Sequence, residues 1–166
     1  MFTCSSAFAQ QVNAVLKAMN GTTKLNGGST VPGHINEIDI LSYSQGESFC
    51  AGCLKADFSD LSVLMSLNAA TISLKKLQVN GTKLTSVDLT YIKNTTTTIE
   101  FYKVHMENVT IESIQESGSS EIPTYSVSFF PDKIAWQNTI IKGDGTAGAK
   151  SSYGWDVVNN VEWLYY

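Results

Sequence analysis

Along most of this chain apolar and polar residues alternate with a period of two, the spacing of half-buried β-strands, and only one segment replaces it with a helical period. A short apolar stretch runs from Val12 to Met19 and stops at Asn20-Gly21, a strong turn signal. Gly27-Gly28-Ser29 and Pro32-Gly33 punctuate a loop, and the run from Ile35 to Ser44 alternates well enough to predict a strand. From Gln45 to Asp57 no periodicity is sustained. Gly46, Gly52 and two cysteines fall there, and the reading is a long connecting loop. Long loops in compact domains are often functional, which makes this one a candidate contact surface. Phe58 to Met65 is strand-like again.

The exception follows at once. Ala69, Ala70, Ile72, Leu74, Leu77 and Val79 lie among good helix formers, Ala70, Leu74 and Leu77 share one face, and Asn80-Gly81 supplies a stop. Strand patterns then resume: Thr85 to Lys93, Ile99 to Met106, Val109 to Gln115, Tyr125 to Phe130, Lys133 to Ile141, Tyr153 to Asp156 and Val161 to Tyr166. Polar or Gly-rich turns separate them at Asn94 to Thr98, Glu116 to Ser120 and Gly143 to Gly148. Many short strands with a single helix predict a mainly β protein, a closed barrel or a sandwich. The 166 residues suit one core, with residues 11–166 as one domain and 1–10 as an N-terminal arm. Ala7-Phe8-Ala9 matches the small-x-small pattern before a signal-peptidase cut, so the arm reads either as a signal remnant or as an ordinary extension.

Charge narrows the function. The net charge is −4, and all eleven basic residues are lysines, spread singly apart from Lys75-Lys76. Without arginine forks or a basic stripe, nucleic-acid binding is not expected. No apolar run approaches the ~20 residues that span a bilayer as a helix, so no membrane insertion is expected.

Candidate chemistry is sparse. Cys50-Ala51-Gly52-Cys53 supplies two of the four ligands a structural zinc site needs, and His34 and His105 lie far away in sequence. The simpler reading of Cys50 and Cys53 is a loop pair, bridged in an oxidising compartment and free otherwise. Neither histidine sits in a nucleophile motif. Glu37 and Asp39 share a strand face without an evident partner, and Gly143-Asp144-Gly145 lacks the remaining oxygens of a calcium loop. No phosphate-binding glycine motif occurs. No catalytic residue, cofactor or metal is expected, and a structural, self-assembling role is the reading that remains.

In this order, several peptides resemble the Hcp (haemolysin-coregulated protein) family, the inner-tube protein of type VI secretion systems. They are Val15-Leu16-Lys17, His34-Ile35-Asn36-Glu37-Ile38-Asp39-Ile40-Leu41-Ser42-Tyr43-Ser44, and Phe58-Ser59 with its following helix. Tyr91-Ile92-Lys93, Phe101-Tyr102-Lys103-Val104-His105-Met106-Glu107-Asn108-Val109 and Ile114-Gln115-Glu116-Ser117-Gly118 continue the match. Pro123-Thr124-Tyr125-Ser126-Val127-Ser128-Phe129, Ile134-Ala135-Trp136 and Gly154-Trp155-Asp156 complete it, with Tyr125 where the family usually carries Glu. The resemblance implies a closed or partly closed antiparallel β-barrel with one α-helix on its side. It implies homohexameric rings that stack into a hollow tube carrying effectors, with sheath, spike and effector proteins as partners and an extracellular destination. It assigns Gln45-Gly46-Glu47-Ser48-Phe49-Cys50-Ala51-Gly52-Cys53-Leu54-Lys55 to ring stacking. The signal-like arm and the cysteine pair depart from the family pattern, and leave open a signal-exported relative that builds an extracellular tube or filament without a sheath.

Overall fold

The computed structural model describes residues 12–94, 98–118 and 121–166. The signal-like Ala7-Phe8-Ala9 lies outside them. The elements in chain order are β1 (Val12–Asn20), β2 (Thr23–Lys24), β3 (Ile38–Asp39), β4 (Ser42–Ser44), β5 (Glu47–Cys50), β6 (Lys55–Phe58) and β7 (Leu61–Ser66). Then come α1 (Ala70–Val79), β8 (Leu84–Asn94), β9 (Thr98–Ser117), β10 (Thr124–Phe130), β11 (Lys133–Ile141), β12 (Ala147–Asp156) and β13 (Val161–Glu162).

Every pairing is antiparallel, and the pairings run around a circuit. Strand β1 pairs with β8, β8 with β9, β9 with β10, β10 with β7 and β7 with β4. Strand β3 returns to β1. The link between β3 and β4 is the two residues Ile40 and Leu41, whose amides donate to different strands, to Ala14 O of β1 and Leu64 O of β7, both within 2.9 Å. The predicted single strand from Ile35 to Ser44 is therefore two short ones, because its backbone must turn a corner from one sheet to the other. The result is a partly closed barrel with one helix, the predicted fold class.

Strand β9 is the spine. The predicted strands at Ile99 to Met106 and Val109 to Gln115 are one continuous element of 20 residues. Its first half pairs with β8 and β11, and its second half with β10. The bend between them falls at Asn108, in the left-handed region at φ 50°. Pro131-Asp132 lies opposite, between the paired residues Phe130 and Lys133, where proline has no N–H to give to a ladder.

Packing follows the alternation. In β7 and β10 the residues Leu61, Val63, Met65, Tyr125, Val127 and Phe129 point inward. Burying each of the large aliphatic ones contributes about 1.5–3 kcal/mol. Their outward neighbours Ser62 and Ser128 share a 2.8 Å hydrogen bond. Helix α1 lays Ala70, Thr71, Leu74 and Leu77 on this core. Asn68 Oδ1 accepts the Ala70 N–H at its start. At its end Gly81, at φ 62°, lets its own N–H reach Gln78 O while Thr82 N–H reaches Leu77 O.

Candidate functional site

The segment expected to be an irregular loop is a hairpin. Strands β5 and β6 pair Glu47 with Phe58, Ser48 with Asp57, Phe49 with Ala56 and Cys50 with Lys55. They form a two-stranded sheet of their own, separate from the eleven-stranded one. Each strand is only four residues long and mostly exposed, so no inward-facing apolar row marks it in the sequence. The tip is Ala51, Gly52, Cys53 and Leu54, with Leu54 at φ 49°. Cys50 and Cys53 are joined by a disulfide, their Cα atoms 5.4 Å apart. Phe49 and Leu54 are 65% and 74% exposed.

The base of the hairpin rests on aromatic rings. Trp136 Nε1 donates to Gln45 Oε1 at 3.2 Å, and Phe58 stacks on the Trp136 ring at 6.1 Å. On the next strand Tyr153, in register with Trp136, lies nearly parallel to it at 6.4 Å. Gly46 O accepts the Ser59 N–H, and Asn160 Oδ1 accepts the Ala56 N–H at 3.3 Å. Between hairpin and floor runs an apolar groove of about 600 Å³, lined by Phe49, Leu54, Tyr102, Trp136, Tyr153 and Trp155 among others. Burial first, and then the neighbouring Tyr43, push the Tyr102 phenol well above its ordinary range. The structure thus places all of Gln45 to Lys55 in one unit. The floor is not among the expected site residues, although Tyr153 and Trp155, two apart on one strand face, form an aromatic row visible in the sequence.

A second group of polar residues gathers on the outer face of β8 and β9. His34 Nδ1 lies 2.9 Å from Glu37 and its Nε2 3.1 Å from Glu100. Burial pushes the Glu100 carboxyl up, but Lys103 and His34 outweigh it and hold it below the usual carboxylate range. His105 Nδ1 meets Asp88, its partner across the β8–β9 register, at 2.5 Å. Both histidines are thus held by carboxylates. Glu37 is buried against His34 while Asp39 is exposed, so the two acids do not form a pair. Asp144 spends its Oδ1 on the amide and hydroxyl of Thr146, closing a turn. Among the described residues no group of three or more His, Cys, Asp or Glu is placed to hold a metal ion, and no helix is long and apolar enough to cross a membrane.

The C-terminal tail crosses this face. Trp163 N–H donates to Gly154 O at 2.9 Å. A Cβ on Gly154 would stand 2.4 Å from Trp163 O, so the tail can approach only because residue 154 is glycine. The Lys133 ammonium sits 5.2 Å over the Trp163 ring.

A partly closed barrel with one side helix is the architecture of a set of solved secretion proteins. One, described as a type six secretion system protein, matches with a TM-score of 0.82 at 21% identity, over 92% of this chain and 100% of that one. Hcp1 from Salmonella typhimurium matches with a TM-score of 0.76 at 19% identity, over 92% and 99%. A type VI secretion system effector from Yersinia pestis matches with a TM-score of 0.70 at 19% identity, over 87% and 99%. At these identities the likeness is one of fold. The family model "Type VI secretion system effector, Hcp" matches residues 16–138, well over half of the chain, and the protein belongs to the Hcp family. No curated protein matches it.

Proposed function

We propose that this Hcp-family chain is a structural subunit that closes into homohexameric rings, and that the rings stack into a hollow tube through the hairpin from Gln45 to Lys55. Residues 11–166 act as the building block and 1–10 as its arm. The observation that carries the reading is the hairpin. It is a separate two-stranded sheet whose exposed Phe49 and Leu54 are continuous with the groove of Tyr102, Trp136, Tyr153 and Trp155, and a contiguous exposed apolar patch of this kind fits a contact between copies. Rings that stack head to tail need two complementary surfaces per subunit, and a hairpin on one side supplies one of them. Sheath, spike and effector proteins are the partners such a tube would meet, and its destination is outside the cell.

The test is negative-stain electron microscopy with sedimentation velocity on the purified chain, beside Phe49→Asp and Leu54→Asp. Rings and tubes are expected from the parent, and rings without long tubes from the variants. A strict monomer at high concentration would count against the ring. Tubes of unchanged length in both variants would remove the stacking role.

The disulfide favours a second reading on one point. A bridge between Cys50 and Cys53 suits an oxidising compartment, as expected of a signal-exported relative that assembles outside the cell without a sheath. N-terminal sequencing of the secreted protein separates the two routes. A start near Gln10 supports signal-dependent export, and retention of residues 1–9 supports loading from the cytoplasm.

A further inference from the structure

We infer that Cys50 and Cys53 form a reversible thiol–disulfide site that holds the hairpin in shape, so that the redox state of the compartment decides whether the stacking surface exists. The gating half of this inference rests on the stacking role proposed above; the redox half stands without it.

Three observations carry it. First, the hairpin has no ladder to the main sheet, and a lone two-stranded hairpin is marginally stable in water. Its anchors to the barrel are Gln45 and Phe58 on Trp136 at the base and Ala56 on Asn160 one pair below the tip. Among the described residues the turn Ala51 to Leu54 is tied by the bridge and by the Cys53 N–H, which donates to Cys50 O at 3.3 Å. Second, the bridge sits where it acts on that tip. Cys50 ends β5, Cys53 lies in the turn, and the 5.4 Å between their Cα atoms lies within the range a disulfide spans. Third, Cys53 is exposed and Cys50 half-buried, so a redox partner has access to the sulfurs.

The chemistry is a two-electron exchange. In the reduced chain one cysteine thiolate attacks a disulfide oxidant, such as glutathione disulfide or the disulfide of an oxidoreductase. A mixed disulfide forms and one oxidant thiolate leaves. The second cysteine thiolate then attacks the mixed disulfide at the protein sulfur, closing Cys50–Cys53 and releasing the second oxidant thiolate. Two protein thiols are oxidised, one oxidant disulfide is reduced, and the two protons lost by the cysteines pass to the departing thiolates. A subunit in a reducing cytoplasm therefore carries two thiols and a loose tip, and one that has reached an oxidising exterior carries the bridge and stacks there, the order that goes with signal-dependent export and not with a tube loaded in the cytoplasm. The bridge closes a loop of about four residues, for which loop-closure entropy corresponds to a roughly 25-fold shift in the tip's opening equilibrium.

The chain has a third cysteine, Cys4, so the experiment uses the full chain carrying Cys4→Ser, in which only the pair responds. It compares samples treated with glutathione disulfide and with a phosphine reductant, beside the further Cys50→Ser, Cys53→Ser double variant. Hydrogen exchange of the hairpin amides and tube length are read together. Reduction is expected to speed exchange in residues 47–58 by about 25-fold, in line with the loop-closure relation, while core strands stay unchanged. It should also shorten tubes, and glutathione disulfide should restore both in the parent but not in the double-serine variant. Unchanged hairpin exchange on reduction would overturn the redox site. Faster exchange with unchanged tubes would overturn the gating while leaving the redox site standing, and the stacking role falls only if tubes of the Phe49→Asp and Leu54→Asp variants are unchanged as well.

Discussion

The ring of Tyr165 lies flat on the imidazole of His105, with centroids 3.7 Å apart and planes 3° from parallel. Asp88 holds the same imidazole from within the sheet, so the histidine is the rivet between the barrel wall and the C-terminal tail. Tyr165→Ala removes the stack and the area it covers, and is expected to cost about 1–2 kcal/mol. Tyr165→Phe keeps the ring and should lie within about 0.5 kcal/mol of the parent. Urea unfolding of the two variants checks this.

The same tail sets an alkaline limit. Burial first, and then the Asp88 charge, raise the phenols of Tyr165 and Tyr166 above their ordinary range, and burial with Tyr43 does the same to Tyr102. A phenol that holds its proton longer in the folded chain than in the unfolded one costs nothing below about pH 10, where both are neutral. Above it the unfolded chain ionises first and stability falls with rising pH. The thermal midpoint is expected to be flat from pH 7 to 9 and to drop beyond about 10. Absorbance at alkaline pH should show these phenols ionising with unfolding rather than before it.

Asn160 ties the hairpin to the chain's last turn through its bond to the Ala56 N–H. It sits at φ 55°, so Asn160→Gly removes the amide without straining the backbone. The loss of one hydrogen bond, about 1 kcal/mol, should speed hairpin amide exchange roughly fivefold and leave β7 and β10 unmoved. Exchange by mass spectrometry resolves the two regions.

Asn108 tests the bend in β9. Asn108→Val forces a β-branched residue into the left-handed region and is expected to cost about 1–2 kcal/mol, while Asn108→Gly should be near neutral. Denaturant midpoints decide between a bend held by local conformation and one imposed by the rest of the barrel.

How far the sequence could be read depends on where each signal resides. The inward rows of β7 and β10 and the buried face of α1 are patterns within a few residues of one another, and they were legible. The break at Ile40-Leu41 was not, because it arises from two partners, Ala14 and Leu64, on different strands. The gap between the expected strands, at Glu107-Asn108, falls on a real bend, yet the alternation on either side could not show that one backbone continues through it. The hairpin escaped because each of its strands has only four residues, and the contacts that half-bury Phe58 come from Trp136, 78 positions away. His34 and Glu100 meet across 66 positions, a separation that no local pattern reports.

The long β9 and the Ile40-Leu41 corner have a mechanical consequence. The two sheets are joined by covalent backbone at both corners rather than by side-chain contact alone. A push on one sheet travels into the other along peptide bonds and hydrogen-bonded ladders loaded in shear, so under load the wall behaves as a continuous shell and not as two plates that slide.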